Sequence, residues 1–265
     1  MNIKRVLSKA IACSIIAATT ATLGLSGITA KASEVEEGWK TLVLVCPRAE
    51  IQRTPYVNAA TTIMYESEVA KVKADAKIME ETINSDSVGR AKMTVEVAVS
   101  DMPITNKSLS MAVGPYIGSL DVENILDKYA PEGKYDSVLL VYRNNDYSTS
   151  LGTANTVDLP SRGTTNGTIY STVKLDDADH LMKYPDNIEP MYLIDRFAEG
   201  AYQYMKAEGF KLDSPYFAPY NGTDDLYQYN KAKRNFYRWY FFGLSWTIDG
   251  EGGITEEMWK HRPTI

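Results

Sequence analysis

Histidine and cysteine are nearly absent: the 265 residues hold two of each. With His180 and His261 alone, no three-histidine metal site and no HExxH zinc motif can be assembled. Basic charge is short as well, with 28 Lys+Arg against 34 Asp+Glu and a formal charge of −6. A nucleic-acid binder needs a basic face to release phosphate counterions, so that class is excluded. The chain also lacks a nucleophile elbow, a P-loop and a GxGxxG run, which removes the chemistries those turns support. Nothing in the pattern calls for a cofactor. What is present is a hydrophobic content of 44% and 28 aromatics, the make-up of a folded globular protein.

The first stretch reads as a signal peptide. Lys4, Arg5 and Lys9 form a charged n-region, and an uncharged run from Ala10 to Ala30 follows. Ala30 and Ala32 then supply the small residues that signal peptidase requires. Cys13 does not make a lipoprotein, because Ala10 stands where a large aliphatic is wanted. Cleavage of residues 1–32 is expected to leave 33–265 as a single globular domain, secreted or held at the cell surface. It removes Lys4, Arg5, Lys9 and Lys31 and no acid, leaving 24 basic against 34 acidic residues, a charge of about −10. The mature chain keeps one cysteine, Cys46, so no internal disulfide forms. That suits a Gram-positive exporter. The triplets at Asn106, Asn166 and Asn221 match glycosylation sequons, which mean little in a bacterium.

Hydrophobic patterning predicts an α/β fold: a mainly parallel or mixed central sheet with flanking helices and a helical C-terminal region. Lys40 to Cys46 and Ser137 to Tyr142 are short, apolar, β-branched runs, as buried strands are. Thr61 to Tyr65 reads as a further short strand. Met93, Val95, Val97 and Val99 alternate with Lys92, Thr94, Glu96 and Ala98, the period of a strand with one covered face. Between them, Ser67 can cap a helix striped by Val69, Val72, Ala76, Met79 and Ile83. Asp121 can cap a shorter helix carrying Val122, Ile125, Leu126 and Tyr129. Alternating strands and helices imply right-handed crossovers and parallel pairing. From Arg143 to Thr168 the chain turns polar and aperiodic, reading equally as a functional loop at the end of a central strand or as a plain surface loop. A helix is expected from Asp186 or Asn187 to Glu208, with Pro190 in its first turn, and another from Asp224 towards Leu244. Gly200 inside the first of these costs helix stability, which points to a close neighbour.

Two acids on that long helix are the candidate catalytic residues. Asp195 and Glu199 are four apart, so their carboxylates project from one side on successive turns, and Tyr192, Tyr202 and Lys206 extend the stripe. Such a pair can serve as acid and base, or hold a hard cation, or form a solvated helix face with Arg196 pairing Glu199. Asp176, Asp177, Asp179 and His180 form an acidic cluster without the glycine and terminal glutamate of an EF-hand loop. Tyr216 to Trp246 holds 12 of the 28 aromatics. Consecutive rings on a helix point in all directions, so most are expected in the core and a few at a cleft. Arg143, Arg196, Tyr202 and Trp239 are the candidate ligand-binding residues, and none is expected to hold a metal. Cys46 ends an apolar strand and reads as a buried, inert thiol.

Four segments carry a resemblance: Trp39 to Val45, Ala130 to Tyr142, the helix from Leu193 to Gly209, and Gly253 to Trp259. In this order the chain resembles secreted Gram-positive proteins of zinc-metallopeptidase type. In that family the corresponding helix carries HExxH, which supplies two zinc ligands and the general base. The matching stretch here is Asp195-Arg196-Phe197-Ala198-Glu199, with carboxylates at both ligand positions and Arg196 in place of the base. An arginine cannot take a proton from metal-bound water, and its charge repels a cation. The resemblance thus implies an exported peptidase-like scaffold without a working zinc motif, a non-catalytic binder of an extracellular protein or polysaccharide. The alternative is an active extracellular hydrolase, of glycosidase or peptidase class, that uses Asp195 and Glu199. After leader cleavage neither nucleic acid nor membrane is expected as a partner.

Overall fold

The computed structural model describes residues 38–55, 59–110, 114–143, 154–155, 168–175, 191–215, 226–245 and 250–264. The expected leader, most of the polar loop after Arg143, the acidic cluster with His180 and the expected helix start before Met191 lie outside them. Asn166 and Asn221 also lie outside. Residues 37–265 form one unit.

The strands are β1 (Lys40–Cys46), β2 (Arg48–Ile51), β3 (Ala60–Ile63), β4 (Thr94–Val99), β5 (Ser108–Ser110), β6 (Gly114–Tyr116), β7 (Ser137–Arg143), β8 (Ala154–Asn155) and β9 (Ile169–Leu175). The helices are α1 (Glu66–Asp86), α2 (Glu123–Tyr129), α3 (Met191–Ala207), α4 (Leu226–Phe242) and α5 (Glu256–Lys260). The main sheet runs β4-β1-β7-β9-β8, with the first four strands parallel and β8 antiparallel at the edge. The α/β architecture with a mainly parallel sheet and flanking helices is therefore present.

Side-chain alternation divides the core in two. Val43, Val45, Leu139, Val141, Val173 and Leu175 point to one face, where they meet α1, α3, α4 and α5. Leu42, Leu44, Val138, Leu140 and Tyr142 point to the other, where α2 and the short β2–β3 hairpin cover them. This is the packing a parallel sheet requires, since both faces must leave water. α1 crosses from β1 to β4 on one side, and α2 carries the chain back to β7 on the other side of β1. The direction of strand addition thus reverses between β1 and β7. In open α/β sheets the crevice at such a reversal is where ligands sit.

Several local expectations change. α1 starts at Glu66, one residue before the expected cap Ser67, and Glu68 reaches back to accept the Tyr65 N–H at 2.6 Å. That closes the Glu half of a capping box, with Tyr65 and not Ser67 at the N-cap position. Asp121 lies inside a 3-10 turn (Ser119–Val122) and accepts from the Gly118 N–H at 2.7 Å, capping that turn and not α2 itself. The strand expected at Thr61 to Tyr65 is β3, and it pairs with β2 outside the main sheet. Strand β9 has no counterpart in the sequence reading, because Ser171, Thr172 and Lys174 interrupt its apolar run. All three are nonetheless buried.

The close neighbour expected at Gly200 is β9. A Cβ there would lie 2.7 Å from Ile169 Cγ2 and 2.8 Å from Ser171 Oγ. Glycine lets α3 lie directly on the sheet, with Phe197 inserted among Trp39, Phe241 and Trp259. The expected stripe of Met191, Ile194, Ala198, Ala201 and Met205 is buried throughout.

Candidate functional site

The strand reversal places Arg143 at the crevice, at the C-terminal end of β7, one residue beyond the Tyr142 that pairs with Cys46 of β1. Its guanidinium does not face open space. Nη1 donates to both Glu68 oxygens at 3.0 Å, and the group lies 5.1 Å from the centre of the Tyr65 ring. Thr62 Oγ1 donates to the Arg143 carbonyl at 2.5 Å. The hairpin and the first turn of α1 therefore engage Arg143 in internal contacts at the crevice. Glu68 is 2% exposed, and Arg143 is its ion-pair partner in that buried position.

Farther along α1, Asp75 is also buried, accepting from Lys71 Nζ and from the Tyr192 hydroxyl of α3, each at 2.5 Å. At the end of the helix, Asp86 accepts both terminal nitrogens of Arg234 from α4. Glu68, Asp75 and Asp86 share the face of Val72, Ala76, Met79 and Ile83, so a helical wheel that admitted acids to the apolar stripe would have found them. None of the three is among the residues expected from spacing alone.

On α3, Asp195 and Glu199 do point to one side, towards α4. Tyr237 of α4 hydrogen-bonds Asp195. Its hydroxyl is pushed well above the ordinary tyrosine value, first by burial and then by the Asp195 and Glu199 charges. Arg196 Nη1 donates to Glu199 Oε2 at 2.5 Å, an i,i+3 pair in which Glu199 is 7% exposed. Tyr202 is buried, and Lys206 Nζ donates to its hydroxyl at 3.2 Å. Of the stripe that could have been a solvated face, Glu199 and Tyr202 are buried, Tyr192 and Asp195 are half-buried and Lys206 is exposed.

Trp239 stands elsewhere. It is 47% exposed, on the side of α4 that faces the end of α1. Of the candidate residues, Asp195, Arg196, Glu199 and Tyr202 share α3, Arg143 contacts Glu68 and Tyr65, and Trp239 lines the groove beside Asp86 and Val88. Cys46 is buried beneath the crevice, and burial pushes its thiol up to about 12, where no thiolate nucleophile exists at neutral pH.

The donor set does not fit zinc. The guanidinium of Arg196 sits on Glu199 and would oppose a cation there. Among the described residues, no group of three histidine, cysteine, aspartate or glutamate side chains is placed to hold a metal ion. No helix among them is long and apolar enough to cross a membrane. No family model, curated protein or solved structure matches the chain.

Proposed function

We propose that this is an exported protein on a metallopeptidase-like scaffold whose metal centre has been replaced by internal ion pairs, and that it binds an extracellular protein or glycan without cleaving it. The observation that carries this reading is the Arg196–Glu199 pair at 2.5 Å, with Glu199 almost wholly buried. An acid–base role requires a carboxylate that reaches substrate and exchanges its proton. Glu199 is held instead by a permanent cation on its own helix, and Asp195 by the buried Tyr237 hydroxyl. Asp195 and Glu199 also approach from the same helix, whereas glycoside hydrolysis calls for carboxyls on opposite sides of the scissile bond.

Metal analysis of the purified protein tests the reading directly. It is expected to return no stoichiometric zinc, and peptide and polysaccharide substrates are expected to remain intact. Stoichiometric zinc with chelator-sensitive peptide cleavage would overturn the proposal. Glycan turnover that disappears in Glu199→Gln would establish the hydrolase alternative in its place.

A further inference from the structure

We propose that the groove between the end of α1 and the outer face of α4 binds an anionic glycan, one whose sugar rings carry carboxylates. The inference stands apart from the loss of catalysis, since it uses none of the residues of the Arg196–Glu199 site. The groove has a volume of about 620 Å³, within the range of small-ligand sites. Asn235, Arg238, Trp239 and Phe242 line one wall at i, i+3, i+4 and i+7, a single stripe of α4. Val88 from the turn after α1, at 61% exposure, and Leu244 at 42% complete an apolar surface around Trp239.

Charge decides what that surface fits. Arg234 and Asp86 form a forked pair that cancels internally. Arg90 lies 4.9 Å from the centre of the Phe242 ring while donating to the Phe242 carbonyl at 2.9 Å. Arg238 has no hydrogen bond or ion pair with the described residues. With Arg234 and Asp86 cancelling, Arg238 leaves the lining of this groove with a net positive charge in a chain whose overall charge is −6. A positive, aromatic groove on a negative protein selects an anion with an apolar face.

A uronic-acid ring has both: its C–H face packs on the indole, and its carboxylate accepts the two-pronged guanidinium of Arg238. Asn235 supplies an amide to the ring hydroxyls. An acidic peptide is a poorer match, because the wall is a helix whose backbone groups are already bonded and offers no strand edge to an extended chain.

Calorimetric titration of the intact protein with oligogalacturonate, neutral oligogalactose and polyglutamate tests the assignment. Oligogalacturonate is expected to bind, more weakly at high salt, and the neutral sugar and the polypeptide are expected not to. Trp239→Ala and Arg238→Gln are each expected to weaken binding on the order of tenfold with the unfolding midpoint unchanged. Absence of oligogalacturonate binding, or unchanged affinity in either variant, overturns the site. Equal binding of the neutral sugar removes the arginine's role, and tighter binding of polyglutamate replaces the glycan with an acidic peptide; either result overturns the proposal.

Discussion

On the inner side of α4, Phe236, Tyr237, Tyr240 and Phe241 are buried, with Phe241 6.0 Å from Trp259 of α5 and 6.2 Å from Phe197 of α3. Round the same helix, Trp239 and Phe242 stand at 47% and 38% exposure. The charges divide in the same way. Towards α3, each candidate acid is held by a neighbour within the fold, as Glu199 is by Arg196 and Asp195 by Tyr237. Towards α1, Arg238 is left for solvent or a ligand. Polar groups that solve a burial problem have little chemistry to offer an outside molecule, so residue type alone does not locate function. In the seam between α3 and α4, Glu199 and Tyr237 are buried and each has a partner within the fold, while Asp195 and Arg196 are half-buried.

Phe197→Ala tests the seam most severely. The ring packs 5.8 Å from Trp39 and stacks on Trp259 at 6.3 Å, so truncation empties the centre of the aromatic cluster. A loss of about 3–5 kcal/mol is expected in urea unfolding. A loss under about 1 kcal/mol would mean the seam relaxes freely and is no core.

Gly200→Ala comes next, and here two effects compete. Alanine favours the helix by about 1 kcal/mol over glycine. Against that, the new methyl would lie 2.7 Å from Ile169 Cγ2, and overpacking of this kind costs about 1–3 kcal/mol. Net destabilisation is expected, and a more stable Gly200→Ala protein would show that α3 does not rest so closely on β9.

The buried hydroxyls give the seam a pH signature. Burial pushes Tyr204 up to about 12 from 10.0, with the Glu208 and Asp136 charges adding to it, and burial also raises Tyr237 and Tyr240 well above the ordinary tyrosine value. A folded value above the unfolded one means the contribution is fully present below the ordinary tyrosine range. It is then lost as pH rises through the folded value. Stability is therefore expected to decline from about pH 10 upward, with these phenols ionising only as the protein unfolds. Ultraviolet titration of phenolate absorbance, set beside unfolding curves, checks this. Smooth ionisation of every tyrosine near the ordinary value in a folded chain would break the distinction between the two sides of α4.

The alternation of strand and helix was legible because short apolar β-branched runs and one period-2.0 stretch alternate with 3.6-period stripes, and the parallel sheet followed from it. β9 was not legible, since Ser171 and Thr172 look like loop residues until β7 and α3 cover them. Of the site, the shared side of Asp195 and Glu199 was readable from i,i+4 spacing, as was Arg196 as a partner for Glu199. Whether that side faced water or α4 was not, because helix spacing fixes relative direction and says nothing of what lies opposite. Arg143 was placed correctly at a strand end, but its partner Glu68 lies 75 positions away and meets it only through the crossover of α1. The surface role of Trp239 likewise depended on where the end of α1 lands.

The smallest expected effect belongs to the groove. Trp239→Ala and Arg238→Gln should each change unfolding free energy by less than about 0.5 kcal/mol, the range for exposed positions without a specific partner. Arg90→Ala is a sharper control, because Arg90 donates to the Phe242 carbonyl at the last residue of α4. Loss of that hydrogen bond and of a cation at a helix C-terminus should cost about 0.5–1.5 kcal/mol. The order Arg90 above Trp239 and Arg238 thus separates a residue that closes a helix from two that only line a surface. If Trp239→Ala were instead to cost as much as Gly200→Ala, its ring would be supporting the fold, and the two sides of α4 would differ in exposure but not in role.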